Sequence, residues 1–515
     1  MSARTFCAGR ARGCRIMDPM SPRTLALLSL AFLACGDDQQ AVPDAMPDAV
    51  DFTIGEAPEL AMPCADAAGD LYTLPSDLPA MDDSHRGDVF RCSVTEKLTI
   101  PEIQAQITAD NAPYMNTVDG TINSGFWTYR IAYRTERNTV GTARAEGDTA
   151  ATLIIPANPL PGGPLVVFGH GSSGIAPQCA ASRLDLSAAI RDEDYPPMLW
   201  RLAGYGYTVI APDYTGFAYG QAPGYFNAED EAHAMLDATR AAAKLLPTAP
   251  AKVVFVGHSQ GGHAALAAQS YAESYGMAGE LAGVATFAPL WSSMSLWAAA
   301  VTSTGNLTTA VDTNAILYAM EYAYSAGELR VPGSGVSVFQ TDKQTAAKDV
   351  ILNECYDAAG LQALGATPAD FFDMDYVTKV GAACAIGNGL PPVADCSDPL
   401  AMDTWVPRWK EDRPAIDATS APILAFFGGM DTVLPPYRAA CARDKIDADL
   451  AAASGATTTV EYCNNPNAGH RDITRGTSVD YVNEWIAARA GAGPEPASCT
   501  PFAATVRCAQ PPIEH

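Results

Sequence analysis

Val253-Val254-Phe255-Val256-Gly257-His258-Ser259-Gln260-Gly261-Gly262-His263, followed by Ala264-Ala265-Leu266-Ala267-Ala268, is the stretch on which the reading of this chain turns. A β-branched run enters a Gly-x-Ser-x-Gly turn and an alanine-rich helical stretch leaves it, which is the context a nucleophile elbow requires. Gly257 and Gly261 stand two residues either side of Ser259, where a Cβ would collide with the neighbouring strand or helix. So tight a turn strains the serine backbone and exposes its hydroxyl at a helix N-terminus. Without the flanking strand and helix the same five residues would be an ordinary Gly-Ser turn.

A serine hydroxyl is a poor nucleophile at neutral pH. It needs a histidine to take its proton, a carboxylate to orient that histidine and backbone donors for the oxyanion. After a strand–elbow–helix these follow in the order Ser, Asp or Glu, His. Pro422-Ile423-Leu424-Ala425-Phe426-Phe427 reads as a buried strand running into Gly428-Gly429-Met430-Asp431. Asp431 therefore hangs from a strand end, where sites of open parallel sheets lie. Thr457–Tyr462 reads as a further strand, Cys463–His470 as the loop after it, and the residues through Val479, Val482, Trp485 and Ile486 as an amphipathic helix.

Of seven histidines, only His470 occupies the right place in chain order. His258 reads as packing inside the elbow, and His263 as lying one helical turn on, directed away. His233 follows Glu229 by four residues as a helix-surface pair, while His85 and His515 fall outside the pattern. Asp472 and Asp417 stand as alternatives to Asp431. The oxyanion donors are expected to be the backbone N–H groups of Gln260 and of Ser172, with Gly171 next, on the loop after Pro164–Phe168.

That loop also spells Gly169-x-Gly171-x-x-Gly174, a dinucleotide fingerprint. The fingerprint needs a helix beginning within it and an acid at the end of the next strand about twenty residues on. Pro177 and Cys179 interrupt any such helix, and Asp192 and Asp194 lie in a polar, proline-bounded stretch. No cofactor is expected. No Walker loop or His-Glu-x-x-His occurs, and no metal site is expected.

Composition bounds the setting. Met20-Ser21-Pro22-Arg23, then Thr24–Ala34, has a charged start, a short apolar run and small residues. It reads as a secretory signal, too short for a membrane span. Residues 1–19, with four arginines, read as an upstream extension from a start placed too early. Leu33-Ala34-Cys35-Gly36 is similar to a bacterial lipoprotein junction, which makes Cys35 a candidate membrane tether. The acidic, proline-spaced residues after it read as a flexible linker.

Thirteen cysteines become ten without Cys7, Cys14 and Cys35, an even number that in an exported chain argues for disulfides. Proximity suggests Cys499 with Cys508, Cys384 with Cys396, and Cys441 with Cys463. The formal charge of −26 becomes −30 once residues 1–34 remove five arginines and one aspartate. Such a surface repels nucleic acid and anionic membranes and favours neutral substrates.

Phe126–Arg134 and Ala151–Ile155 read as the first two strands, Leu184–Leu202 as a helix, and Tyr207–Pro212 as a strand. Asn227 and Asp230 can cap the helix that carries Ala234, Leu236, Ala238, Ala241 and Leu245. Alternating strands and helices imply a doubly wound, mostly parallel α/β sheet. From Pro289 to about Ala415 the strand rhythm gives way to helical patterns over Ala315–Tyr324, Lys343–Leu352 and, behind Thr367-Pro368, Phe371–Val377.

The expected organisation is a signal peptide over 1–34, a tether over 35–62 and a first core segment over 63–290 carrying the elbow. A helical cap over 291–415, a second core segment over 416–490 with acid and base, and a tail over 491–515 follow.

Tyr133-Arg134-Thr135, His170-Gly171-Ser172 with Cys179, Ala211-Pro212-Asp213-Tyr214-Thr215-Gly216, the elbow, the cap insertion, Asp431 and His470 together resemble the secretory lipase (lipase A-like) branch of the α/β hydrolases. The likeness spans about 125–490. It implies an α/β-hydrolase fold, cofactor-free hydrolysis of acyl esters, small-molecule or lipid ester substrates, and a triad of Ser259, Asp431 and His470. Carboxylester hydrolysis carries over more securely than triacylglycerol hydrolysis, because the cap sets chain-length preference. Two rivals remain. One is a serine peptidase or aminopeptidase on the same fold, with Glu321, Glu328 or Asp370 holding a substrate ammonium. The other is a surface-tethered binding protein with a vestigial site.

Overall fold

The computed structural model describes residues 54–114, 120–137, 145–188, 194–291, 294–303, 307, 310–355, 358–383, 408, 409 and 411–506. The signal segment, Cys35 and most of the linker lie outside these, as do Cys384, Cys396, Cys508 and His515.

Nine strands form one sheet: β1 (Val89–Leu98), β2 (Phe126–Arg137), β3 (Ala145–Pro156), β4 (Leu165–Gly169), β5 (Thr208–Pro212), β6 (Lys252–His258), β7 (Glu280–Phe287), β8 (Ile423–Gly428) and β9 (Val460–Asn465). Their spatial order is β1-β2-β3-β5-β4-β6-β7-β8-β9. Pairing is antiparallel from β1 to the β3–β5 pair and parallel from there to β9. This is the α/β-hydrolase fold anticipated above.

The central strands are apolar without interruption because both faces are covered. Val253 and Phe255 of β6 face one core with α3 (Ala228–Leu245) and α4 (Gln260–Tyr275), while Val254 and Val256 face the other with α2 (Tyr195–Tyr205) and α11 (Thr477–Ala490). Each such side chain, fully buried, contributes about 1.5–3 kcal/mol. α1 (Ile100–Asn111) adds Ile103 and Ile107 to the second core.

The cap follows β7. Its described helices are α5 (Met294–Val301), α6 (Ala310–Arg330), α7 (Gln344–Asn353), α8 (Ala358–Leu364) and α9 (Met374–Ala383). α10 (Pro436–Ala452) lies between β8 and β9. Asp412 anchors the cap: its carboxylate accepts from Asn227 Nδ2 (2.8 Å), Tyr322 Oη (2.8 Å) and Arg330, and its main-chain oxygen lies 2.7 Å from His263 Nε2. Trp297 stacks on Tyr322 with ring centroids 4.4 Å apart, so α5 and α6 pack as one layer.

Several expectations need correction. β1 precedes the two strands read as first; its sequence, Val-Phe-Arg-Cys-Ser-Val-Thr-Glu-Lys-Leu, has no clean alternation because it is an edge strand with a register shift. The helix expected at Leu184 begins at Tyr195, where Pro196 and Pro197 sit in the first turn with φ already helical. His233 is buried, stacked on Tyr275 at 3.7 Å, and not on the surface.

The linker is docked from residue 54 onward: Ile54, Ala57, Leu60 and Met62 pack on the core, and Pro58 O accepts from Tyr129 Oη at 2.7 Å. The disulfides between described residues are Cys64–Cys92, Cys179–Cys355 and Cys463–Cys499, so neither Cys441–Cys463 nor Cys499–Cys508 forms. The reason is that the tail returns along β9, with Phe502 N–H bonded to Tyr462 O at 2.9 Å, which brings Cys499 to Cys463. Cys384–Cys396 lies outside the described residues.

Candidate active site

The elbow has the strain its glycines require. Ser259 has φ 53° and ψ −114°, a region that costs a non-glycine residue about 1–3 kcal/mol. The conformation is over-determined by its neighbours: Ser259 N–H donates to Phe287 O (3.0 Å), and Ser259 O accepts from the amides of Gly262 (3.0 Å) and Leu290 (2.9 Å). A Cβ on Gly257 would overlap the Gly261 carbonyl, and one on Gly261 would overlap the Gly169 carbonyl. The first turn of α4 is thereby pressed between the ends of β4 and β6.

The acid and base loops arrive at the same end of the sheet. Gly428 and Gly429 let them touch: added Cβ atoms would come within 2.6 Å of Ala468 O and Pro466 O respectively, and Met430 N–H donates to Ala468 O at 2.9 Å. His470 Nε2 lies 3.0 Å from Ser259 Oγ, and His470 Nδ1 lies 2.8 Å from Asp431 Oδ2. Asp431 is itself held, with Oδ1 accepting from the amides of Val433 (2.8 Å) and Leu434 (2.7 Å). Serine, histidine and aspartate thus form one hydrogen-bonded chain.

The alternatives to Asp431 are committed elsewhere. Asp472 Oδ1 accepts from Gly469 N–H at 2.5 Å, and Asp417 Oδ1 accepts from Thr419 N–H at 2.8 Å.

Burial pushes the His470 imidazole below its ordinary range. Asp431 and its hydrogen bond work against that shift, and His258 and Arg471 reinforce it. A base with a lowered pKa is unprotonated, and so able to accept a proton, over a wider range of acidity.

The main-chain N–H groups of Ser172 and Gln260 have no acceptor among the described residues. The N–H of Gly171, by contrast, is taken by Asp194 Oδ2 at 2.8 Å. Ser172 Oγ pairs with Tyr225 Oη at 2.7 Å. The loop is no dinucleotide cradle: a single 3₁₀ turn, Pro177–Cys179, follows it, and the next α-helix begins at Tyr195.

Two clefts meet at Ser259. One, of about 280 Å³, is walled by apolar groups including Phe226, Leu290, Trp297, Ala300, Ile316 and Leu434. The other, of about 200 Å³, is polar and is walled by His170, Asp194, His258, His470 and Arg471. Ser172, Ser259 and Tyr318 border both. The one cluster of metal-ligand types among the described residues, Glu461 with Cys463 and Cys499, contains a disulfide.

Sequence reasoning missed Asp194 and misread His258. The ring of His258 bridges Asp194 and the main-chain oxygen of His470. No spacing signal could have shown it, since Asp194 lies 64 residues before His258 and His470 lies 212 after it.

A mostly parallel sheet with the elbow at the head of α4 and a helical insertion after β7 has the α/β-hydrolase fold. The secretory lipase family model matches residues 187–303, from the approach to α2 through the elbow into the cap. The resemblance to secretory lipases is thereby borne out.

Three solved structures show the same fold. The rice cell wall degrading esterase LipA from Xanthomonas oryzae is 18% identical with a TM-score of 0.52, covering 79% of this chain and 97% of that one. A putative hydrolase from Legionella pneumophila is 15% identical with a TM-score of 0.55, covering 78% and 96%. Candida antarctica lipase A in its closed state is 16% identical with a TM-score of 0.53, covering 87% and 92%. A search of curated proteins returned no match.

Proposed function

We propose that this protein is an exported serine carboxylester hydrolase, a lipase or esterase that cleaves neutral acyl esters through an acyl-enzyme. The observation that carries the reading is the Ser259–His470–Asp431 chain, with links of 3.0 and 2.8 Å. Ser259 Oγ attacks the ester carbonyl as His470 Nε2 takes its proton. The amides of Ser172 and Gln260 receive the oxyanion. His470 then gives the proton to the departing alkoxide oxygen, and water repeats the sequence to release the acid. Asp431 fixes the tautomer with the proton on Nδ1.

The polarity of the clefts supports a division of the substrate between them. The leaving oxygen must lie beside the histidine that protonates it, and His470 borders the polar cleft but not the apolar one. The acyl chain accordingly occupies the apolar cleft beneath α5 and α6, and the alcohol the polar one, which favours alcohols that retain hydroxyl or other polar groups. Amide hydrolysis by an aminopeptidase has no comparable support. Glu328 is bound to the amides of Gly333 and Gly335, Asp370 caps Thr367, and no acid lines the apolar cleft among the described residues.

Export is supported by the secretory family and three disulfides. A lipid tether at Cys35 is part of the same proposal.

The test is labelling with a fluorophosphonate and turnover of p-nitrophenyl esters beside aminoacyl-anilides. Ser259→Ala should abolish labelling and lower kcat by about 10⁴ to 10⁶. Ester turnover surviving in that variant would end the proposal, and anilide turnover exceeding ester turnover would transfer it to the peptidases.

A further inference from the structure

Both ring nitrogens of His258 face acceptors. Nδ1 lies 2.8 Å from Asp194 Oδ2, and Nε2 lies 2.7 Å from the main-chain oxygen of His470. A neutral imidazole has one N–H and one lone pair. In either neutral tautomer one nitrogen would aim its lone pair at an oxygen lone pair. With Asp194 ionised, as the groups around it favour, only a ring with two N–H groups satisfies both contacts. His258 is 3% exposed, and the Asp194 carboxylate supplies the compensating charge.

The same Asp194 Oδ2 also accepts the Gly171 N–H at 2.8 Å. One carboxylate oxygen therefore holds the oxyanion loop directly and the base loop through the His258 ring. The junction is tight: a Cβ on Gly171 would stand 3.2 Å from Asp194 Oδ2 and 3.3 Å from His258 Nδ1. The His258 and His470 ring centroids are 4.9 Å apart.

We propose that Asp194 and His258 form a second acid–histidine pair behind the triad, whose doubly protonated ring positions the catalytic histidine through its main chain and ties it to the oxyanion loop. His258 is a positioning residue here, and the proposal rests on the hydrolase reading above.

An electrostatic consequence follows. A fixed cation beside His470 disfavours a second one, in the direction already noted for that ring. Burial of Asp194 works to raise its pKa but is outweighed by His258, then by His170 and the Gly171 amide, which draw the carboxyl down to about 2. The charged and titratable groups around the two rings are Asp194 ahead of α2, His170 on the oxyanion loop, Asp431 on the acid loop, Arg471 beside the base and Tyr318 of α6.

Two measurements test this. In the unmodified protein labelled with ¹⁵N-histidine, the His258 resonances, assigned by their loss in His258→Gln, should show both nitrogens protonated at pH 7. A single protonated nitrogen would overturn the proposal, and this readout is independent of activity. In kinetics, His258→Gln keeps a donor for the His470 carbonyl but removes the charge, whereas His258→Met removes both.

The Gln variant should hold KM within about threefold and move the acid limb of kcat/KM up by about one pH unit, as loss of a cation at this distance near a solvated site implies. The Met variant should lose about a hundredfold in kcat, the scale of a small misplacement of a catalytic group, with Gln restoring most of it. An unmoved acid limb in the Gln variant would reduce the ring to packing and overturn the proposal. Should the Gln variant fail to fold, the His258 resonances are assigned by their loss in His258→Met, and the nitrogen spectrum decides. Failure of Ser259 to take a fluorophosphonate in the unmodified protein would instead remove the hydrolase reading, whatever the spectrum shows.

Discussion

Replacing Asp431 by asparagine changes one atom and should nearly silence the enzyme, for a reason that lies in the acid's own hydrogen bonds. Oδ1 accepts from the amides of Val433 and Leu434 at 2.8 and 2.7 Å, and Oδ2 accepts from His470 Nδ1 at 2.8 Å. In Asp431→Asn the carbonyl oxygen must keep the Oδ1 place. The other orientation would set an NH₂ group against two buried N–H donors, each left unsatisfied at a cost of about 1–3 kcal/mol. The side-chain NH₂ is then locked facing His470 Nδ1, which must become an acceptor.

The histidine proton moves to Nε2, where it points at Ser259 Oγ, 3.0 Å away. A nitrogen that carries a proton there cannot remove one. Reversing the tautomer works against the roughly 2–6 kcal/mol that orients the amide. A wrong tautomer in such a triad costs a factor of about 10⁴ in kcat, which at 1.36 kcal/mol per decade is about 5.4 kcal/mol and falls inside that range. Turnover of p-nitrophenyl butyrate should show kcat down by about 10⁴, KM within a few-fold and Tm nearly unchanged, since no bond to the main chain is lost. Asp472→Asn, whose carboxylate serves only its own loop, should stay within about threefold. Asp431→Asn activity within tenfold of the native enzyme, or an Asp472→Asn variant as impaired as Asp431→Asn is expected to be, would refute the reasoning.

Three further predictions follow from particular contacts. The acid limb of kcat/KM should lie below the ordinary imidazole value of 6.5, because burial lowers His470 and activity, which needs the neutral ring, is present above its pKa and lost as pH falls through it; a limb above 6.5 in a pH-rate profile would contradict this. Asp213, buried beneath the Ser182 amide and hydroxyl, is pushed up to about 7 by burial. The native state keeps that proton where the unfolded chain has released it near 3.8, so stability falls as pH rises from about 4 to about 7. Asp213→Asn should therefore gain in Tm relative to the native protein more at pH 8 than at pH 5, and equal offsets at both would dismiss the assignment. Ala300, in the wall of the apolar cleft, should when replaced by phenylalanine cut kcat/KM for octanoyl esters at least about tenfold more than for acetyl esters, the scale of excluding a few methylenes; a uniform effect across chain lengths would place the acyl chain elsewhere.

The elbow, the strand-borne acid and the late histidine were legible because each rests on local order. A β-branched strand, a turn only glycine can flank and a helix are adjacent in the chain. Chain order then singled out His470 from seven histidines. β1 was not legible, since an edge strand paired along its length with β2 alone, and shifted in register there, needs no regular alternation. The start of α2 was misplaced because apolar spacing continues on either side of Pro196-Pro197, and only the ring constraint of proline marks the boundary. Disulfide pairing failed for a different reason: Cys179 and Cys355 are 176 residues apart, and nothing in their local sequence states that the oxyanion loop and the end of α7 meet.

What the amino-acid order determined by itself is the parallel part of the sheet, the elbow and the candidate serine and histidine, because helix and strand periods and glycine's missing Cβ act over a few residues. What only the tertiary structure decided is how loops distant in sequence share hydrogen bonds. Asp431 prevailed over Asp472 through which carboxylate faces Nδ1. His258 became a link between Asp194 and the base loop, and the two clefts took opposite polarity, once the cap had folded over the strand ends. Those choices depend on distances of about 3 Å between segments separated by tens to hundreds of residues, and no local rule carries such distances.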